Sequence, residues 1–201
     1  MCEEVKQSQQ IWLTTDTHFG HANMVKLCHR PEDFEKRIID NWYQVVRPED
    51  IVIHLGDVTW HIKDYLDNVV AKLPGKKILV RGNHDEKSLM YYMKHGFDLA
   101  VDSLSMKYRG LDILFTHEPK IFHEHDINIH GHLHTNTLEL SEPYSLYYLI
   151  SLENNGYTMT NLDALVRHKL QKMVYDFKNE KEKYFEGDTE SKEVQSWWTA
   201  I

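Results

Sequence analysis

Short apolar, β-branched runs alternate with amphipathic stretches along the first half of the chain. Residues 11–15, 51–55 and 77–81 are such runs, and their length and composition predict buried strands. Between the first two, Phe34, Ile38, Trp42 and Val45 or Val46 fall at helical spacing. That predicts a helix over about 31–46 with Pro31 near its start. A second helix is expected over about 61–73, closed by Pro74-Gly75, and a third near 88–95, stopped by Gly96. The second half reads as strands: 99–108 and 111–115 joined at Arg109-Gly110, then 127–130, 137–140 and 144–152. Asn154-Asn155-Gly156 is a turn signal, and Asn161 is placed to cap a helix running to about residue 177. Strand–helix alternation followed by a strand-rich half implies an α/β domain with a mixed sheet or two packed sheets. Residues 1–177 form that domain in this reading. Residues 178–201 form a charged C-terminal tail, helical in part and docked through Trp197 and Trp198.

Composition narrows the function. The chain has 201 residues, 41% hydrophobic, which suits one folded domain with a sizeable core. The formal net charge of −8 and the lack of a dense basic run argue against stable binding of duplex DNA. An anionic substrate remains compatible, because bound metal ions supply positive charge locally. Cys2 and Cys28 are too few and too far apart for a cysteine-rich zinc site, and they fit a reducing cytoplasm. The first ten residues read neither as a signal peptide nor as a membrane segment.

Histidine is the outlier, with 14 in the chain. Its position matters more than its number. Asp16, Asp57 and Asn83-His84 each lie just past the C-terminal end of a predicted strand, the edge where α/β sheets bind ligands. Asp16 and His18 are two apart, as are His132 and His134, so each pair projects to one side of an extended backbone. Gly56, Gly82 and Gly131 each precede one of these residues, where a glycine permits close approach. Carboxylate, amide and imidazole donors without thiolate suit Mn²⁺, Fe or Zn²⁺. Two divalent ions against two carboxylates leave a net charge of about +2, which favours a phosphate ester and a hydroxide together. His21, Asn23 and Arg30 follow the first motif. They read equally as substrate-binding residues, with Arg30 on a phosphate, or as groups that brace the site or cap a helix. His54 and His130 read as buried supporting residues.

Asp16-Thr17-His18, Gly56-Asp57, Gly82-Asn83-His84-Asp85, Thr116-His117 and Gly131-His132-Leu133-His134 occur in one order along the chain. In this the sequence resembles the calcineurin-like metallophosphoesterase superfamily. Asp16-Thr17-His18-Phe19-Gly20-His21 and the nearby Arg30-Pro31 are most similar to its small bacterial and phage-type members. The resemblance implies a four-layer α-β-β-α sandwich with two packed mixed sheets. It also implies a ligand set: Asp16, His18 and His134 on one metal, Asn83, His117 and His132 on the other, and Asp57 between them. His84 would face the substrate as a catalytic group, with Asp85 orienting it. Two departures bear on subfamily. Gly56-Asp57 runs on into Val58-Thr59-Trp60, without the Asp-Arg-Gly of the protein phosphatases. Trp60 stands where purple acid phosphatases carry a tyrosine ligand.

The expected function is hydrolysis of a phosphate ester by a hydroxide generated at two divalent ions. Mn²⁺ is the first choice of metal, with Fe, Zn²⁺ or Ni²⁺ as alternatives. The expected substrate is a nucleotide or similar small compound, cleaved as a phosphodiester or phosphomonoester. Two readings compete: a nuclease for short or single-stranded nucleic acid, and a metal-binding scaffold without catalysis.

Overall fold

A computed structural model describes residues 8–60, 62–120, 123–134 and 146–187; for residues 62 and 180–187 only the backbone is described. The expected strand at 137–140, and Trp197 and Trp198, lie outside the described residues.

The three apolar runs form β1 (Ile11–Thr14), β2 (Ile51–His54) and β3 (Lys76–Val80), paired in parallel in the order β3-β2-β1. Between them lie α1 (Met24–Leu27), α2 (Phe34–Val45) and α3 (Ile62–Asn68); α4 (Leu89–Lys94) follows β3. The 31–46 prediction finds its helix three residues late, because 31–33 make a turn in which Phe34 N–H donates to Pro31 O at 3.0 Å. Phe34, Ile38 and Trp42 are buried as their spacing requires. The indole N–H of Trp42 donates to Pro74 O at 2.9 Å, so its burial leaves no polar atom stranded.

The stretch read as one strand over 99–108 is two. β4 (Leu99–Val101) pairs in parallel with β3, and β5 (Leu104–Tyr108) pairs antiparallel with β6 (Leu111–Thr116) in a different sheet. The chain crosses at Asp102-Ser103, where Asp102 pairs with Arg81 at 2.6 Å. A period-2 pattern on both sides of the break hid it. β7 (Ile127–His130) and β8 (Tyr147–Leu149) continue the second sheet in parallel. β9 (Thr160–Asn161) adds an antiparallel edge beside β1. The result is two mixed sheets with strand orders β4-β3-β2-β1-β9 and β5-β6-β7-β8.

Strand faces divide the core by period two. Val52 and Leu79 face outward and pack with Phe34, Ile38, Trp42, Leu66 and Tyr92 of the helices. Leu13, Ile53 and Val80 face inward and meet Ile113, Phe115, Ile127 and Ile129 of the second sheet. Asn161 caps α5 (Leu162–Leu165), its side chain accepting from Ala164 N–H at 2.9 Å. A π-helical stretch (Val166–Leu170) joins α5 to α6 (Gln171–Gly187). Leu162, Leu165, Val166, Leu170 and Val174 add to the inter-sheet core. The helix therefore continues past the expected end at 177 into the charged stretch. Among the described residues no helix is long and apolar enough to cross a membrane.

Candidate metal centre

The strand ends deliver their polar residues to one rim. Backbone bonds beyond the strands fix it: Asp16 N–H donates to Gly56 O at 2.9 Å, His18 N–H to Asp57 O at 3.0 Å, and Gly131 N–H to His117 O at 3.0 Å. Asp16, His18, Asp57 and His132 all take positive φ, at 49°, 46°, 58° and 70°. Such backbone is costly for residues with a Cβ and persists where the surroundings impose it, which is typical of functional sites. The glycines allow the loops to touch. A Cβ on Gly56 would lie 2.7 Å from His117 Nδ1, and one on Gly131 would lie 2.7 Å from Asp16 Oδ2.

Each carboxylate is divided between support and centre. Asp16 Oδ2 accepts from Thr15 Oγ1 at 2.6 Å and from His132 N–H at 2.9 Å. Among the described residues its Oδ1 is buried without a hydrogen-bond partner, and it lies 4.0 Å from His18 Nε2 and 3.8 Å from His134 Nε2. Asp57 Oδ1 accepts from His84 N–H at 2.9 Å. Its Oδ2 stands 3.6 Å from His18 Nε2 and 3.4 Å from His117 Nε2, at the meeting point of two clusters. In the second cluster Asn83 Oδ1 is 2.8 Å from His117 Nε2 and 3.0 Å from His132 Nδ1. The spacings about Asp57 and Asn83 match the edges of coordination shells with ligands at roughly 2.0–2.2 Å, and those about Asp16 Oδ1 are longer.

The electrostatics call for cations. His117 Nδ1 donates to Leu55 O at 2.7 Å, which fixes the tautomer and aims the Nε2 lone pair at Asn83 Oδ1 and Asp57 Oδ2. Burial alone would lower the His117 pKa, but the hydrogen bond and charge of Asp57, with Asp16 nearby, hold it up at about 9. A crowd of lone pairs around one point is the arrangement that a proton or a metal ion relieves. Burial lowers His18 to about 3, so its ring is neutral. Burial also opposes charge on Asp57, yet His117 and the His84 N–H bring it down to about 2. Asp16 Oδ1, without a hydrogen-bond partner among the described residues, and this donor set both fit divalent metal. Asp16, His18 and His134 form one group of donors within 4.8 Å of one another, and Asp57, His117 and His132 form a second. Asp16, His18, Asp57 and His117 are the buried floor, while Asn83 lies exposed at the rim.

The other predicted site residues lie around these clusters. The Arg30 side chain is 0% exposed. Its guanidinium donates to Glu153 Oε1 and to Asp16 O, each at 2.8 Å, and to Thr17 O at 3.3 Å. These contacts tie Arg30 to the backbone of the first motif and to Glu153. The Asp85 carboxylate is taken up by backbone amides. Its Oδ2 accepts from Asp57 N–H and Gly82 N–H, each at 2.8 Å, and its Oδ1 from Val58 N–H at 3.2 Å. Burial pushes the Asp85 carboxyl up, and these N–H groups counter it. His84 itself is exposed, its ring edge-on to His18 at 5.7 Å. His21 is half-buried at the mouth, 5.7 Å from His18. Asn23 is exposed at the start of α1 and its side chain makes no capping bond.

His54 and His130 are buried and neutral, burial lowering them to about 3 and about 4. His54 Nδ1 accepts from Gly56 N–H at 3.2 Å and its Nε2 bonds Thr17 Oγ1 at 2.9 Å, which stiffens the turn into Asp57.

Sequence reading missed Glu153. Its Oε1 lies 3.0 Å from His134 Nδ1, which turns His134 Nε2 toward Asp16. Ser151 Oγ donates to the other oxygen at 2.9 Å. A lone carboxylate just after an apolar run was the available signal. Cys28 is free and near the same pair, and burial raises its pKa, keeping it a neutral thiol.

Residues 10–194 match the family model for calcineurin-like phosphoesterases. The chain is 32% identical over 171 residues to MJ1445, an uncharacterized protein of Methanocaldococcus jannaschii, covering 79% of this chain and 90% of that one. It is 33% identical over 85 residues to the gene 66 protein of Mycobacterium phage D29, covering 40% of this chain and 43% of the phage protein. The crystal structure of AQ665 from Aquifex aeolicus, a protein of unknown function, superposes with a TM-score of 0.68 at 30% identity, covering 80% of this chain and 99% of that one. Fold, donor clusters and family model agree: the chain belongs to the calcineurin-like phosphoesterase family and is a metal-dependent phosphoester hydrolase.

Proposed function

We propose that the centre is dinuclear and that it hydrolyses a small phosphate ester, a nucleotide or similar compound. Asp16, His18 and His134 would hold one divalent ion, and Asn83, His117 and His132 the other. Asp57 Oδ2 would be shared by both. The carrying observation is the placement of that oxygen, 3.6 Å from His18 Nε2 in one cluster and 3.4 Å from His117 Nε2 in the other. Bound divalent ions would supply an activated water and positive charge for the phosphoryl oxygens.

The residues divide the remaining work. Asp85 holds the Asp57 and Gly82 amides, so the shared carboxylate keeps its direction. Glu153 holds the tautomer of His134 that leaves Nε2 as the donor. His84, exposed beside His18, gives its proton to the leaving oxygen or stabilises the charge that develops there. Donors without thiolate favour Mn²⁺, with Fe, Zn²⁺ or Ni²⁺ as alternatives. The net charge of −8 favours a small substrate over long nucleic acid.

The test is reconstitution of metal-free protein with Mn²⁺, Zn²⁺, Fe²⁺, Ni²⁺ or Mg²⁺. Each form is assayed on bis-p-nitrophenyl phosphate, p-nitrophenyl phosphate, cyclic nucleotides and short oligonucleotides. Turnover of the small esters supports the reading. Cleavage of oligonucleotides alone replaces it with a nuclease, and inactivity with every metal replaces it with a scaffold.

A further inference from the structure

An aromatic wall borders the mouth of the centre. His21 lies flat on the Trp60 indole, with ring centroids 4.1 Å apart and planes inclined by 9°. The Trp60 ring is also 6.1 Å from His84. His21 and His84 each stand 5.7 Å from the His18 ring. Two paths of rings therefore lead from a candidate ligand to one tryptophan.

Trp60 is not a stray surface residue. It follows the Gly56-Asp57 turn directly, and its N–H donates to Phe19 O at 2.8 Å beside the Phe19–Thr59 bridge. His21 is held in turn by its N–H bond to His18 O at 3.0 Å. The loops after β1 and β2 thus lock the indole and its brace together. Yet Trp60 remains 50% exposed. A large apolar ring kept open beside His84 adds little to the core and costs hydration, so its use lies in what it meets.

We propose that Trp60, braced by His21, is a specificity-determining stacking surface for a planar leaving group. The favoured substrates are then phosphate esters of nucleosides or other aromatic alcohols rather than of small alkyl alcohols. This rests on the hydrolase reading above. A leaving group that receives its proton from His84 emerges beside Trp60. The indole accepts any nucleobase, because every base has a π-face, and such stacking changes affinity by about tenfold or more.

The test uses the full 201-residue chain loaded with Mn²⁺ and calorimetric binding of two probes, a non-hydrolysable phosphonate analogue of adenosine 5′-monophosphate and inorganic phosphate. Trp60→Ala is expected to weaken the nucleotide about tenfold while phosphate changes by less than about twofold, and Trp60→Phe is expected to restore most of the loss. Equal weakening of both probes, or no change in either, overturns the proposal. Hydrolysis of bis-p-nitrophenyl phosphate by the parent protein reports separately on the hydrolase reading, so the two failures are distinguishable.

Discussion

Glu153 Oε1 lies 3.0 Å from His134 Nδ1 and, through its 2.8 Å bond to Arg30, couples a candidate metal ligand to a buried guanidinium. A carboxylate behind a metal-binding imidazole fixes the tautomer and raises its basicity. Glu153→Ala is therefore expected to weaken one metal site by about 10- to 100-fold and to spare the site built on Asn83, His117 and His132. Competition with a chelator, read as metal retained per chain, checks this. Equal loss of both ions contradicts it.

Arg30 is expected to matter for stability rather than for substrate affinity. Arg30→Met strands Glu153 and removes the donors to the carbonyl oxygens of Asp16 and Thr17. Breaking one partner of a buried pair costs about 3–5 kcal/mol. Arg30→Lys recovers little, because a single ammonium cannot reproduce the forked contacts. Denaturant midpoints of the metal-free proteins measure the effect.

His84 separates chemistry from metal binding. Its N–H bond to Asp57 Oδ1 comes from the backbone and survives truncation of the ring. His84→Ala is expected to retain both ions while kcat falls by about 10²- to 10⁴-fold. Loss of metal in proportion to activity would remove the general-acid role.

The two donor clusters are legible in the sequence, because their candidate ligands are local motifs at strand ends. Asp16-Thr17-His18, Gly82-Asn83-His84-Asp85 and Gly131-His132-Leu133-His134 carry the spacing on their own. Supporting contacts were less visible because they join distant segments. Glu153 reaches His134 and Arg30 across the fold, and a lone carboxylate after an apolar run does not name those partners. Proximity to the first motif leaves Arg30 equally a phosphate ligand or a bracing group, and only the packing of Glu153 against it reveals its burial. The split between β4 and β5 was hidden for a related reason. Two strands in different sheets keep the same alternation across Asp102-Ser103, so pattern alone runs through the break.

Acid should loosen the fold at the start of β2, the opposite end of that strand from the candidate metal centre. Asp50 is buried and accepts from Gln10 N–H at 2.9 Å, the Trp12 indole at 3.2 Å, and Arg47. Burial opposes its charge, but these donors lower its pKa from 3.8 to about 2. Because the folded value lies below the unfolded one, the stabilisation is complete above about pH 4 and is lost as the pH falls toward 2. It amounts to about 2 kcal/mol. Urea unfolding between pH 5 and 2 should show a decline that Asp50→Asn flattens.

The shared position of Asp57 is the centre of the functional account. The direct measurement is a titration of metal-free protein with Mn²⁺, following bound metal per chain and turnover of bis-p-nitrophenyl phosphate together. Binding is expected to saturate at about two ions per chain, with activity rising steeply only as the second is filled, and Asp57→Ala is expected to abolish that second phase. Saturation at one ion, or full activity in Asp57→Ala, would contradict a dinuclear centre built on Asp57.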